Sequence, residues 1–186
     1  MTEQDSAASV ILSLQEFKFS CGHFIAYPGF REKLHGHNYS LEIDISGVVS
    51  DTDGYVIDFG VVKDTARKLC KELNERMLVP TLSESLKITI GQPVVPQVIA
   101  VDLLKHCDNV HIVTEFGNYF SFPLEDCALL PIRFTSAEEI ACYLWNRINT
   151  DLCELFSTRT LTQMTVRVLE RPGQCAKFTK SFSSCQ

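Results

Sequence analysis

The sequence predicts an α+β fold in which an antiparallel sheet is covered by two helices. Residues 17–23 and 35–48 alternate in polarity with the period of a strand. Two later stretches, around 62–73 and 140–148, place apolar residues at three- and four-residue steps, the period of a helix. The order is strand-strand-strand-helix, then short strands, then helix and strand, as in an α+β protein.

Taken in order, residues 1–7 are expected to be disordered. Val10 to His23 reads as one strand whose parity shifts near Gln15, from Val10, Leu12 and Leu14 to Phe17 and Phe19, as a bulge would cause. Ile25 to Leu34, with Pro28-Gly29, is a loop. A second strand runs from His35 to Val48. Asp51-Thr52-Asp53-Gly54 is a turn, and Tyr55 to Asp58 returns as a third strand. Asp58 caps a helix that carries Val62, Ala66, Leu69 and Leu73 and ends near Asn74. Val98–Val101, Asn109–Thr114 and Tyr119–Phe122 read as short strands within an insertion-rich stretch, 78–130. Ser136-Ala137-Glu138-Glu139 is a capping box opening a helix with Ile140, Leu144 and Ile148 inward. Thr162 to Glu170 is the last strand, with Met164, Val166 and Val168 facing in.

At 186 residues the chain is expected to form a single domain, 1–186, with 22% charged and 45% hydrophobic residues, ordinary for a globular protein. A net charge of −6 argues against nucleic-acid or anionic-membrane binding, while leaving room for a small anionic substrate in a local basic pocket. The first nine residues carry no secretory signal, no apolar run reaches the length of a membrane span, and the eight cysteines form no Cys-x-x-Cys pair. Reduced thiols and a cytoplasmic location are expected.

Three of the five histidines, His23, His35 and His37, fall within fifteen residues. His35 and His37 share one strand face with Tyr39, Leu41, Ile43 and Ile45, and His23 shares a face with Phe17, Phe19 and Cys21. A lone strand histidine is most often satisfied by hydrogen bonds. Three converging imidazoles fit Zn²⁺, with a fourth position open for water or substrate. A closed structural site would need a fourth ligand, for which Cys21 is the candidate. Glu170 shares the parity of Met164, Val166 and Val168. It reads either as an acceptor for paired N–H donors of a heterocycle or as a strand-end carboxylate that reaches water or Arg171.

Phe19-Ser20-Cys21-Gly22-His23, His35-Gly36-His37-Asn38-Tyr39, Gly54 through Asp58-Phe59, Thr135 to Ala141 and Val168-Leu169-Glu170 follow one another along nearly the whole chain. In this the sequence resembles the 6-pyruvoyl-tetrahydropterin synthase family, which includes the 6-carboxytetrahydropterin synthases. The resemblance implies a tunnelling fold with a four-stranded antiparallel sheet and two helices. It further implies homotrimers or dimers of trimers, with zinc on His23, His35 and His37. Glu170 would anchor a pterin, with Thr135 and Ser136 beside the substrate. The substrate implied is 7,8-dihydroneopterin triphosphate, whose side-chain hydroxyls bind the metal while a base moves protons.

The sequence departs from the family pattern twice. The loop before His35 reads Pro28-Gly29-Phe30-Arg31-Glu32-Lys33-Leu34, without the usual catalytic cysteine. Glu32 is the stand-in, as in family variants that cleave the side chain to give 6-hydroxymethyl-7,8-dihydropterin. Arg31 and Lys33 flank it and could meet the triphosphate. After the first helix Asn74-Glu75 stands where the family often has an Asp-His relay, which makes Glu75 the second candidate for proton transfer; His106 and His111 are further possibilities. The expected function is a zinc-dependent pterin lyase. The competing readings are a non-catalytic zinc- and pterin-binding relative, a 6-carboxytetrahydropterin-synthase-like enzyme and a structural zinc protein.

Overall fold

The computed structural model describes residues 7–91 and 108–182, which group into two compact units. The predicted strand Val98–Val101 and His106 lie outside the described residues, as do residues 1–6. Ala7, expected in a disordered leader, instead opens the first strand.

The first unit comprises 7–19, 38–74 and 137–182. Its axis is β5 (His35–Val48), the second predicted strand with the predicted bounds. Along it Tyr39, Leu41, Ile43 and Ile45 are buried, while Asn38, Ser40, Glu42, Asp44 and Ser46 are not. β11 (Leu161–Arg171) pairs antiparallel with β5 so that Met164, Val166 and Val168 lie opposite Ile45, Ile43 and Leu41. Core residue thus faces core residue across the ladder. β1 (Ala7–Leu12) pairs antiparallel with the last six residues of β5, Ile43 to Val48.

The helices α1 (Phe59–Leu73) and α2 (Ala137–Asp151) carry the periodic residues inward: Val62, Ala66, Leu69 and Leu73, and Ile140, Leu144 and Ile148. Asp58 caps α1, its carboxylate accepting the Gly60 amide at 2.7 Å. α2 packs against β11 and the following strand, and the Trp145 indole N–H donates to the Met164 carbonyl at 2.8 Å. A short helix, α3 (Cys153–Ser157), follows.

Three expectations need correction here. Val10–His23 is two strands, β1 and β2 (Lys18–His23), because a turn closed by Phe17 N–H on the Leu14 carbonyl at 3.0 Å absorbs the change of parity. Tyr55–Asp58 is not a strand. Val56 and Ile57 are both buried, which the alternation of a strand forbids on a half-exposed edge, and the loop is closed by Ser50 N–H on the Tyr55 carbonyl. β11 is not the last strand either: β12 (Gln174–Ser181) returns antiparallel beside it after Gly173, at φ 82°.

The second unit comprises 20–37, 75–91 and 108–136. β6 (Arg76–Pro80) pairs in parallel with both β2 and β10 (Cys127–Leu130). A separate antiparallel sheet is formed by β7 (Leu86–Ile90), β8 (Asn109–Thr114) and β9 (Tyr119–Pro123). The expected loop at 25–34 is a small hairpin, β3 (Ala26–Tyr27) and β4 (Phe30–Arg31), turning at Gly29. Phe24, Ala26, Met77, Val79, Leu86, Val110 and Ile112 form the buried core of this unit.

Candidate metal centre

β2 and the start of β5 deliver the three histidines, all within the second unit. Their close approach depends on Gly36: a Cβ there would stand 2.8 Å from the Cys21 carbonyl oxygen. The ring centroids are 4.5 Å apart for His23 and His35, 5.2 Å for His23 and His37, and 4.9 Å for His35 and His37. One nitrogen from each ring falls within 4.8 Å of the other two. Shared strand parity was expected to keep all three histidines on the core side. Only His23 is buried; His35 is exposed and His37 half-buried, because the core face of β5 ends at Tyr39.

Two rings are oriented by backbone carbonyls. His23 Nδ1 lies 2.9 Å from the Thr135 carbonyl oxygen and His35 Nδ1 lies 2.8 Å from that of Lys33. An Nδ1–H tautomer in each would offer Nε2 to a metal, the carbonyl-oriented arrangement common among zinc histidines. Burial, then the neighbouring His35, lowers the pKa of His23 and holds it neutral, as a ligand must be. The donors fit zinc: three neutral imidazoles, with no Cys, Asp or Glu joining them among the described residues. Burial pushes the Cys21 thiol up to about 12, which keeps the free thiol protonated and a poor nucleophile.

Glu32 belongs to the same unit, and its charge acts on His23. It is half-buried and bound to Ile25 both ways. Its Oε2 accepts the Ile25 amide at 3.0 Å, and its own amide donates to the Ile25 carbonyl at 2.9 Å. Arg31 Nη1 donates to the Glu32 carbonyl at 2.8 Å, and its guanidinium lies 5.8 Å from the Phe24 ring centre and 5.6 Å from that of Phe120. Lys33 is exposed.

Thr135 is fully buried, its hydroxyl donating to the Phe24 carbonyl at 3.0 Å, and the half-buried Ser136 follows it. Glu75 is exposed and left-handed, at φ 58°, with its amide donating to the Ser20 carbonyl at 2.6 Å. Glu170 is half-buried in the first unit, where the β11–β12 register shifts between Leu169 and Arg171. Arg171 Nε donates to Gln174 Oε1 at 2.6 Å across that hairpin. His111 is structural: buried, with Nδ1 2.6 Å from the Tyr119 hydroxyl and Nε2 2.8 Å from the Gly91 carbonyl. Sequence reasoning missed Phe24, Ile25 and Phe120 beside the Glu32 loop, because the stretch from Phe24 to Glu32 has no periodicity and Phe120 lies far along the chain.

An α+β tunnelling fold bearing three histidines grouped closely enough to hold a metal ion defines the class. Residues 13–181 match the family model described as 6-pyruvoyl tetrahydropterin synthase, and the chain belongs to that family. It is similar to the Plasmodium falciparum 6-pyruvoyl tetrahydropterin synthase structure, with 36% identity and a TM-score of 0.82, covering 95% of this chain and 99% of that one. A Plasmodium vivax 6-pyruvoyltetrahydropterin synthase, solved as a mutant with alanine in place of a catalytic glutamate, is 35% identical with a TM-score of 0.82, over 96% of this chain and 100% of that one. A putative 6-carboxy-5,6,7,8-tetrahydropterin synthase of Methanocaldococcus jannaschii is 24% identical over 163 residues, 88% of this chain and 90% of the relative. No helix among the described residues is long and apolar enough to cross a membrane, and their six cysteines are free thiols.

Proposed function

We propose that this chain is a zinc-dependent lyase acting on 7,8-dihydroneopterin triphosphate, with Glu32 as its base, and that it cleaves the substrate side chain to 6-hydroxymethyl-7,8-dihydropterin. The observation that carries the reading is the trio of imidazole nitrogens within 4.8 Å of one another, in the same compact unit as Glu32. The Plasmodium vivax relative, whose catalytic residue is a glutamate, supports a carboxylate in the role of base. Zinc held by His23, His35 and His37 would supply Lewis-acid polarisation of substrate hydroxyls.

The rest of the chemistry belongs to the chain. Glu32 takes the proton of the hydroxyl on the second side-chain carbon. The bond between the first and second carbons then breaks, its electron pair passes to the first carbon and the ring, and a carbonyl forms on the departing triphosphate fragment. The first carbon takes back a proton, which Glu32 returns. The hydrogen bond from Ile25 holds one carboxylate oxygen and leaves the second to do this work. Glu170, with Thr135 and Ser136, binds the pterin, the exposed Lys33 meets phosphate, and Glu75 is the second proton-transfer candidate. A cytoplasmic homotrimer or dimer of trimers of one 1–186 domain completes the reading.

A second reading, a 6-carboxytetrahydropterin-synthase-like enzyme, is favoured by relatives of that name in Methanocaldococcus jannaschii and Rickettsia felis, the latter 38% identical over 71 residues. Incubating zinc-loaded protein with dihydroneopterin triphosphate and identifying the products by mass spectrometry separates the two. The expected product is 6-hydroxymethyl-7,8-dihydropterin, abolished by Glu32→Ala. A 6-carboxy product supports the second reading, and tight pterin binding without turnover leaves a non-catalytic relative.

A further inference from the structure

The inserted sheet β7–β8–β9 touches the Glu32 hairpin at two places. At the hairpin tip the Glu115 carboxylate, from the β8–β9 turn, accepts the Gly29 amide. At its base the ring of Phe120 on β9 lies 5.0 Å from that of Phe24, tilted by 30°, and the Arg31 guanidinium lies over both rings. Arg31 is half-buried, and its Nη1 is directed to the Glu32 carbonyl at 2.8 Å. A planar cation against two aromatic faces with a directed N–H is fixed in position and orientation, where a solvated arginine would sample many rotamers. The restraint reaches the carboxylate through one residue of backbone, and the pair of hydrogen bonds to Ile25 closes the frame on its other side.

We propose that Arg31 is a positioning residue for Glu32, and that the inserted sheet, through Phe120 and Glu115, is the buttress that holds the carboxylate's hairpin in place. This rests on the reading of Glu32 as the base. It gives the 78–130 insertion a task in proton transfer, and it differs from a phosphate-binding role for Arg31, which would act on substrate affinity.

The test compares Arg31→Ala, Phe120→Leu and Phe120→Tyr in the full chain, using steady-state kinetics with dihydroneopterin triphosphate and amide hydrogen exchange by NMR. Misplacing a base lowers kcat, so the first two variants should lose roughly tenfold or more in kcat, with KM held within about twofold. Phe120→Tyr, which keeps the aromatic face, should restore the rate. The Ile25 and Glu32 amides should exchange about tenfold faster in Arg31→Ala while core amides of β5 keep their protection. A raised KM with unchanged kcat in Arg31→Ala would make it a phosphate ligand and overturn the proposal; so would unaltered exchange at Ile25 and Glu32. If the parent protein turns nothing over, the reading of Glu32 as the base fails, and the exchange rates alone decide whether Arg31 frames this hairpin.

Discussion

The Thr135 carbonyl oxygen lies 2.9 Å from His23 Nδ1, and the Thr135 hydroxyl donates to the Phe24 carbonyl at 3.0 Å. A single buried threonine therefore orients the His23 ring and holds the Phe24 backbone between β2 and the Glu32 hairpin. Thr135→Val keeps the shape and removes the hydroxyl, leaving the Phe24 carbonyl with one donor fewer. Urea denaturation should show a loss of about 1–3 kcal/mol. Competition with a chelator should show zinc affinity reduced by about tenfold.

Gly36→Ala should act on the same centre by a different route. The added methyl would stand 2.8 Å from the Cys21 carbonyl oxygen, closer than a carbon and an oxygen can approach. The strands must separate there, at a cost of about 1–3 kcal/mol. Because His35 and His37 flank this position, bound zinc measured after dialysis should fall well below one per chain, whereas the parent protein should retain it.

Cysteine reactivity should follow burial. Burial pushes Cys21 and Cys70 each up to about 12, whereas Cys153 is exposed. Timed alkylation of the native protein, read by peptide mass spectrometry, should label Cys153 well before Cys21 or Cys70. Cys21→Ala should retain zinc. Its loss in that variant would restore the thiol as a metal ligand.

The loop 50–58 should lose its anchor in acid. Arg159 donates to both carboxylate oxygens of Asp53, at 2.9 and 2.6 Å, and this pairing holds the Asp53 carboxyl down to about 2. A lowered folded value means the stabilisation is present above the ordinary carboxylate range near 4 and is lost as pH falls through about 2. Asp53→Asn should therefore be less stable than the parent at neutral pH. The gap should close progressively below pH ~4, as urea midpoints collected across that range will show.

By itself the sequence determined the elements whose burial is one-sided. β5 announces itself by strict alternation from Tyr39 to Ile45, and α1 by its apolar stripe and the Asp58 cap. The pairing of His35 and His37 on one strand face was legible for the same reason, whereas the approach of His23 to them is a matter of how β2 and β5 pack. β6 was not legible, because Met77 to Pro80 is buried throughout and shows no alternation. Nor was β12, where only Ala176 and Phe178 are even half-buried. Only the tertiary structure decided what surrounds Glu32. The partners of its hairpin, Phe120 and Glu115, lie more than eighty residues along the chain. Contacts between such distant positions arise from how strands pack, and strand packing leaves no period in the sequence for a reader to find.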